Sequence, residues 1–306
     1  MGISQYIKEI GRGPRGSKPL TREQAADLFG QLLDGNVTDL EIGAFCLAMR
    51  IKGETPEEMC GFLDAAHSRM ALFPASDRPV IVLPSYNGAR KLPVLTPLLA
   101  LLLAREGLPV LLHGMRTEAR RTLASDVLLA LGVPALTAPE KIATGSVAHI
   151  ETGYLHAALA RLLKVREVVG LRNAGHSIVK LMNPCAGPAV VVTSYTHPEY
   201  YDMLQATFGA LHMTALLSRG LEGEVATDPR RTPRYDAFVA GVHQLLQEQQ
   251  PGTAADVPGL PTEIDIDTTA RYTQDVLDGH LPVPPALAQQ VEHILHLAAQ
   301  TPPHAP

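Results

Sequence analysis

The chain has 306 residues, of which 46% are apolar and 19% are charged, and its formal net charge is −5. This composition suffices for a large buried core and argues against wholesale disorder. The longest mostly apolar run, Leu92–Ala104, is too short to cross a bilayer, and the N-terminus lacks the apolar segment of a secretory signal. Three widely spaced cysteines exclude a disulfide scaffold and give no zinc-binding spacing. We therefore expect a cytoplasmic globular protein with no membrane association.

The first part of the chain predicts three helices between residues 21 and 70. Each helix begins at a threonine that can act as N-cap, namely Thr21, Thr38 and Thr55. Apolar residues recur at helical spacing in each segment, which predicts one buried face per helix. We expect a small all-helical domain over residues 1–72.

The periodicity then changes to that of buried strands alternating with helices. Strands are predicted at Pro79–Leu83, Pro109–Leu112, Val147–Ile150, Ala189–Thr193 and Met213–Leu217. Helices are predicted at Leu92–Ala104, Thr117–Leu131, Tyr154–Val169, Pro198–Leu211 and Thr268–Leu277. This alternation indicates an α/β domain with a mainly parallel sheet over residues 73–306, of which Thr301–Pro306 is expected to be a frayed terminus.

Charge is spread unevenly along the chain. Residues 251–306 contain seven acids and one base, whereas residues 1–250 contain 24 acids and 25 bases. Positive runs occur at residues 1–22, 90–121 and 161–180. Binding to a polyanion depends on the local field, so these runs are compatible with a nucleic-acid partner; an ordinary solvated surface is the alternative.

Two turns follow predicted strands, at Pro84–Lys91 and His113–Arg116. Ligands of open parallel sheets bind at the C-terminal ends of the strands, and Gly88 and Gly114 permit close approach of the backbone. Nearby positive charge comes from Arg90, Lys91 and Arg116. Phosphate is the expected guest, although neither turn is a Walker A loop or a dinucleotide fingerprint, and two ordinary strand–helix turns are the alternative.

Several segments resemble anthranilate phosphoribosyltransferases, in the same order along residues 20–230. These segments are Leu32–Met59, His113–Arg116, Ser125–Val133, Arg166–Asn173, Leu181–Pro184 and Gly220–Val225. The resemblance implies the class III nucleoside phosphorylase/phosphoribosyltransferase fold, which is usually a homodimer, and we expect segment 172–184 to join the helical domain. Segment Thr38–Arg69 resembles the family's dimer-forming domain. Four apolar residues there are expected to be partly shared across a two-fold interface: Cys46, Met49, Met59 and Phe62.

Departures from the family concern its chemistry. The family's Gly-Thr-Gly-Gly-Asp pyrophosphate loop is replaced here by Pro84–Gly88. The family's lysine before His-Gly is Leu112 in this chain, and its asparagine is Met115. In the family's Asp-Glu metal pair the aspartate is replaced by Gly223, so Glu224 is the only acid that remains. One carboxylate is a poor anchor for Mg²⁺. We expect a degenerate phosphate pocket with no catalytic residue, metal or cofactor, formed by Ser85, Tyr86, Asn87, Gly88, His113, Gly114, Arg116, Arg166 and Glu224. The alternative is a transferase that uses Mg²⁺ and phosphoribosyl pyrophosphate with an unidentified acceptor.

Other segments resemble the YbiB-like branch of this family: Lys8–Gly13, Pro84–Lys91, Gly170–Leu181, Ser194–Tyr200 and Leu221–Val225. That resemblance implies a dimeric, sequence-nonspecific DNA- and RNA-binding protein associated with the DNA damage response in bacteria. Lysine and arginine contacts to backbone phosphates require no fixed base sequence, which suits such binding. A binder of a small phosphorylated ligand without turnover is a further possibility.

The predicted nucleic-acid contacts come from four segments. They are Lys8, Arg12, Arg15 and Lys18, which form either a flexible N-terminal arm on phosphates or a solvated N-terminus, Arg90 and Lys91 of the altered loop, Arg172, His176 and Lys180, and Arg230 and Arg231. The third group shares one helix face if residues 172–181 are helical. Tyr86 either stacks on a base or fills the vacated pocket.

Overall fold

The computed structural model describes residues 2–13, 15–254 and 256–301. Its first four helices are α1 (Ser4–Ile10), α2 (Arg22–Leu33), α3 (Asp39–Lys52) and α4 (Pro56–His67). Helices α2, α3 and α4 each begin with a capping box on the predicted threonine. In a capping box the threonine oxygen accepts an amide hydrogen bond from the third helical residue, whose side chain bonds back to the threonine amide. The three helices predicted from the sequence are confirmed.

The N-terminal segment is packed against the helical domain, which corrects the expectation of a flexible arm. Ile3 and Ile10 are buried, because α1 lies against α3. The amide of Ile3 donates to Glu41 Oε1 at 3.2 Å, and the amide of Lys18 donates to the carbonyl of Glu9 at 3.0 Å. Apolar anchors on both sides of the basic residues hold this segment in place.

Eight strands form one mixed sheet. They are β1 (Val80–Pro84), β2 (Val110–Gly114), β3 (Ala135–Leu136), β4 (Val147–Glu151), β5 (Ala189–Tyr195), β6 (Ala215–Arg219), β7 (Tyr235–Val239) and β8 (Val242–Gln247). Their order is β3-β4-β2-β1-β5-β6-β7-β8, and the first six are parallel neighbours while β7 and β8 run antiparallel. The five predicted strands are confirmed, and the α/β fold class with them. Both faces of β1 and β2 are buried, which explains their continuous apolar sequence.

The remaining helices are α5 (Thr96–Arg105), α6 (Ala124–Ala130), α7 (Thr152–Leu155), α8 (Ala157–Val169), α9 (Ala174–Ile178), α10 (Glu199–Ala210), α11 (Ile266–Leu277) and α12 (Pro285–Gln300). Helices α5, α11 and α12 cover one face of the sheet. The other face shares a continuous apolar core with the helical domain, against which α8 and α9 also pack. The site at the ends of the strands therefore faces helices from two parts of the chain.

Helix α6 starts seven residues later than the sequence predicted. Helix α6 begins at Ala124 rather than at Thr117, because the preceding segment pairs with the loop after β1. The amide of Ala89 donates to the carbonyl of Thr122 at 2.8 Å. This pairing brings Glu118 and its neighbours to the edge of the loop.

Two further boundaries differ for stereochemical reasons. Helix α5 begins at Thr96 rather than at Leu92, with Pro97 in its first turn, where its missing amide hydrogen is harmless. The predicted helix Tyr154–Val169 is broken at His156, whose backbone is extended and whose ring accepts the amide of Leu159 as a cap for α8.

The last part of the chain contains elements that the sequence did not reveal. Strands β7 and β8 form an antiparallel hairpin, and α12 covers the sheet. Thr301 is buried at the end of α12, and residues 302–306 of the expected frayed terminus lie outside the described residues. Within the described ranges, none of the helices combines the length and apolar character needed to span a membrane.

Candidate functional site

The altered phosphate loop follows β1 and lies beside the end of β2. Ser85–Gly88 pass so close to Gly114 that a Cβ there would lie 1.8 Å from the carbonyl oxygen of Ser85. Gly88 has a positive φ of 68°, and a Cβ on it would lie 2.7 Å from the carbonyl oxygen of Thr122. Glycine is therefore required at both turns by backbone packing.

Glu224 occupies the inner side of this loop. Its Oε1 accepts the backbone amides of Asn87 and Gly88 at 3.1 and 2.8 Å. Its Oε2 accepts the hydroxyls of Ser85 and Thr96 at 2.6 and 2.9 Å. Backbone amides of this kind form an anion site in phosphate-binding loops. Here a carboxylate of the same chain satisfies them.

Glu222 holds the outer part of the loop in a similar way. Its Oε2 accepts the backbone amides of Arg90 and Lys91, each at 2.9 Å. Its Oε1 lies 3.5 Å from Arg90 Nε, although the Arg90 side chain remains 63% exposed. Lys91 is exposed. The loop is thus fixed by two acids from the turn after β6, while its two cations stay at the surface.

Glu118 is surrounded by three arginines. Arg166 donates to it at 2.8 Å, Arg121 at 3.0 Å and Arg172 at 3.2 Å. Partial burial would raise the pKa of Glu118, but the hydrogen bonds and charges of Arg166 and Arg121 outweigh it and lower the pKa to about 2. Arg172 also donates to Asn87 Oδ1. Arg166, a predicted pocket residue, and Arg172, a predicted nucleic-acid contact, therefore belong to one partly buried ion cluster.

Tyr86 fills the space beneath Arg172. Its side chain is buried, its hydroxyl donates to the carbonyl of His176 at 2.8 Å, and the guanidinium of Arg172 lies 5.8 Å from its ring centroid. Burial raises the pKa of Tyr86 to about 12. The sequence allowed Tyr86 either to stack on a base or to fill the vacated pocket, and in the structure it fills the pocket.

The expected basic stripe over residues 172–181 is not present, which corrects that prediction. Helix α9 covers only Ala174–Ile178, and His176 is buried. Burial lowers the pKa of His176 to about 3, so the ring is neutral at physiological pH and provides no charge for a phosphate. Lys180 points inward, and its Nζ donates to the carbonyl of Ser194 at 2.5 Å.

His113 is also buried, at the end of β2. Neither of its ring nitrogens has a hydrogen-bond partner among the described residues. Burial lowers the pKa of His113 to about 4, so the ring is neutral near pH 7. The neighbouring Arg116 is exposed and forms an ion pair with Asp126. His113 and Arg116 were both predicted to form the phosphate pocket. Because one is buried and the other is exposed, they do not bind one anion together.

The remaining predicted cations differ in whether an acid pairs with them. Arg12 contacts Glu9 at 2.7 Å, whereas Lys8, Arg15 and Lys18 are exposed and have no carboxylate within 4 Å among residues 2–13, 15–254 and 256–301. The two cations of the fourth predicted group, Arg230 and Arg231, contact Asp228 at 2.9 and 3.8 Å. Their pairing leaves the N-terminal segment as the more available positive surface.

The residues present do not fit magnesium with phosphoribosyl pyrophosphate. Both oxygens of Glu224 are engaged by the loop, and Gly223 offers no side chain to a metal. In the described part of the chain, no cluster of three His, Cys, Asp or Glu side chains has metal-binding geometry. A diphosphate would have to displace Glu224 from the amides of Asn87 and Gly88.

A cavity of about 220 Å³ opens beside this loop, between the helical and α/β domains. Its walls come from the end of α3, from α9, from the end of β5 and from the start of α10. Sequence reasoning missed its lining residues Thr193 and Tyr195, because a strand terminus of the form Thr-Ser-Tyr carries no motif. It also missed Glu118 and Glu222. The one indication in the sequence was that each pairs with a run of basic residues, which an acid in the folded chain could neutralise.

Comparison with solved structures gives the class of fold. The anthranilate phosphoribosyltransferase TrpD from Thermus thermophilus superposes with a TM-score of 0.76 at 21% identity, covering 97% of this chain and 90% of that chain. The Saccharomyces cerevisiae enzyme in complex with PRPP and Mg gives a TM-score of 0.71 at 13% identity, covering 97% and 88%. Residues 4–70 match the helical bundle domain of a glycosyl transferase family. The fold is that of the anthranilate phosphoribosyltransferases.

Sequence similarity is more specific. YbiB of Escherichia coli K12 is 37% identical over 298 residues, which cover 95% of this chain and 92% of that protein. The anthranilate phosphoribosyltransferase of Persephonella marina is 28% identical over 294 residues, which cover 90% and 83%. The chain belongs to the YbiB-like branch of the anthranilate phosphoribosyltransferase family.

Proposed function

We propose that this chain is a homodimeric, sequence-nonspecific DNA- and RNA-binding protein on a catalytically degenerate transferase scaffold, with a role in the DNA damage response. The observation that carries the proposal is the set of exposed cations without a carboxylate within 4 Å in the described residues. This set includes Lys8, Arg15, Lys18 and Lys91. Exposed lysines and arginines can neutralise backbone phosphates without reading bases.

The position of Glu224 supports the absence of transferase activity. A pyrophosphate-binding loop needs open amides and a metal to stabilise the leaving group, and here the carboxylate holds those amides. We expect no consumption of phosphoribosyl pyrophosphate with anthranilate and Mg²⁺. Turnover at an ordinary enzymatic rate, on the order of 1 s⁻¹ or more, would refute this part of the proposal and favour the transferase alternative.

The outer face of α3 supports the dimer. Leu40, Leu47 and Ile51 are 83%, 46% and 57% exposed, and they recur at intervals that place them on one side of the helix. Val168 at the end of α8 is 89% exposed, and a groove of about 390 Å³ runs between the two helices. Exposed apolar side chains of this kind on a water-exposed domain are typical of an interaction site.

The test of binding is a salt titration with unrelated DNA and RNA strands. The logarithm of the binding constant should fall linearly with the logarithm of salt concentration and depend little on base sequence. We expect the Lys8→Gln/Arg15→Gln/Lys18→Gln variant to bind more weakly to every strand. Each lost phosphate contact should reduce the slope by about 0.9 on duplex DNA and about 0.7 on single strands.

The matched control removes three cations elsewhere, as Arg105→Gln/Lys141→Gln/Arg271→Gln. Arg105 ends α5, which returns to the opposite end of the sheet from the phosphate loop, and Arg271 lies in the acidic C-terminal part of the chain. The control should retain the parental slope. Equal slopes for both variants, with both folded, would show that the N-terminal segment does not contact the strand.

A further inference from the structure

The cavity between the domains contains buried polar groups without partners. Thr193 and His176 are 1% and 3% exposed, and neither Thr193 Oγ1 nor His176 Nε2 has a hydrogen-bond partner among the described residues. Both residues line the cavity. Buried polar atoms are nearly always paired, so two unpaired polar atoms on residues that line one cavity point to a polar guest that reaches them there.

The orphan nitrogen of His176 is a donor. The ring Nδ1 lies 3.2 Å from the backbone amide of Asn173 and accepts its hydrogen, which leaves the neutral ring's hydrogen on Nε2. Lys180 adds a cation, since its Nζ contacts Ser194 and no carboxylate within 4 Å among the described residues. Burial lowers the pKa of Lys180 to about 8, so the amine remains mostly protonated at neutral pH. The cavity therefore offers several hydrogen-bond donors to one guest.

Three tyrosines contribute to the remaining wall. Tyr86, Tyr195 and Tyr200 line the cavity, and Arg50 and His197 are exposed at its mouth. Glu54 is the only acid among the described lining residues, and burial raises its pKa. The volume of about 220 Å³ is below the range of about 300–1,000 Å³ that drug-sized ligands occupy. A base pair is too large for this space, whereas one planar ring with its substituents is not.

We propose that this cavity receives one unpaired nucleobase with its adjoining phosphate, so that the ring lies against Tyr195 and Tyr200 and the donors of Thr193, His176 and Lys180 contact its carbonyl and phosphate oxygens. The inference rests on the proposed nucleic-acid binding and names the form of the partner, which is a single strand. A free nucleotide offers the same chemistry. The two sources differ in affinity, because only the strand also contacts the exposed cations.

The test compares two single strands of equal length and equal phosphate count, one normal and one composed of abasic nucleotides. Phosphate contacts alone predict equal binding. An inserted base should make the normal strand bind about tenfold or more tightly, as is usual for a base stacked on an aromatic side chain. A pyrrolocytosine base in the normal strand, which keeps a ring carbonyl, should change its fluorescence on binding, and the same base in a duplex or in the free pyrrolocytosine ribonucleotide at the same concentration should change it less.

The variant Thr193→Val/Lys180→Met removes two polar groups of the cavity and conserves its volume. It should lose the preference for the normal strand and keep the salt slope, whereas the control Thr144→Val/Lys141→Met at exposed sites should change neither. Thr193→Val alone removes a hydroxyl that has no described partner, so it should fold and should reduce the preference. Thermal unfolding checks the fold of each variant.

The outcomes separate this inference from the proposed function. Equal, salt-dependent binding of the normal and abasic strands overturns the cavity assignment and leaves nonspecific binding intact. A tighter normal strand whose preference survives both cavity variants places the base elsewhere and also overturns the assignment. Failure of either strand to bind overturns the proposed function, and the inference with it.

Discussion

Four hydrogen bonds converge on the carboxylate of Glu224, two from backbone amides and two from hydroxyls. In the family to which this chain belongs, the resemblance assigns the corresponding acid to a metal pair whose other member is Gly223 here. Glu222, the other acid of this turn, is engaged by the amides of Arg90 and Lys91, and one carboxylate is a poor anchor for a divalent cation. Glu224 instead accepts the hydrogen bonds of the loop amides that a phosphate would otherwise accept. The loop is therefore a structural element of the cleft.

Removal of this carboxylate should both destabilise the protein and open an anion site. In the Glu224→Ala variant the amides of Asn87 and Gly88 lose their acceptor, which should cost about 2–4 kcal/mol of unfolding free energy. Inorganic phosphate should then raise the thermal unfolding temperature of the variant and leave that of the parent protein unchanged. The exposed control Glu199→Ala should behave as the parent does. If phosphate did not stabilise the Glu224→Ala variant, Glu224 would not be occupying an anion site of the loop.

Buried His113 should make stability depend on pH. Its pKa in the folded protein is lowered to about 4, whereas an unfolded histidine titrates near 6.5. The unfolded state therefore binds a proton first, and stability is lost as the pH falls from about 6.5 to 4. Between pH 7 and pH 5 this loss should be about 2 kcal/mol.

The measurement is the free energy of unfolding in denaturant at several pH values. His113→Met should remove about 2 kcal/mol of the loss in unfolding free energy between pH 7 and pH 5. The exposed control His197→Gln should leave the pH profile unchanged. His176 contributes in the same direction because burial lowers its pKa to about 3, so the decline should persist in part in the His113 variant. Identical profiles for parent and His113→Met would contradict a buried neutral ring.

At the scale of single elements, α3 presents two different faces. The sequence predicted that Cys46, Met49, Met59 and Phe62 would be partly shared with a partner subunit, and this was wrong. All four are buried within the chain: Cys46 and Met49 lie on the inner side of α3, whereas Met59 and Phe62 lie on α4, where they join the same apolar core. The exposed apolar residues lie on the outer side, at Leu40, Leu47 and Ile51.

This outer face gives a direct test of the dimer. We expect the parent protein to sediment as a dimer at micromolar concentration and Leu47→Glu/Ile51→Glu to sediment as a monomer, because like charges would be buried without partners. The control Val242→Glu alters a 65% exposed position on β8 and should remain dimeric. The monomeric variant should also lose the gain in affinity that long strands give to a bivalent binder. A monomeric parent would refute the dimer.

For the molecule as a whole, the fold was predictable where the information is local. Threonine caps, a change of period from helix to strand and apolar runs identify α2, α3, α4 and the five central strands. The site was less predictable because its key contacts join distant segments. Glu224 lies 136 residues from Gly88 in the sequence, and Glu118 lies 48 residues from Arg166. Burial of His176 and Lys180 depends on where α9 docks, which no local pattern encodes.

The three capping boxes have a consequence for the order in which the chain folds. Each box closes within four residues, and α2 packs directly on α4, so this part of the bundle needs only contacts that are near in sequence. Strands β1 and β5, by contrast, pair across a loop of more than 100 residues, from Val80 to Ala189, and must first overcome its closure entropy.

We therefore expect amides of α2–α4 to become protected from hydrogen exchange earlier during refolding than those of β5, as pulse labelling would reveal. Simultaneous protection of both would contradict this order. Synthesis from the N-terminus reinforces it, since the bundle leaves the ribosome before the sheet is complete. The cleft is formed by the helical bundle together with the sheet. On this pathway the cleft is therefore the last part of the protein to be assembled.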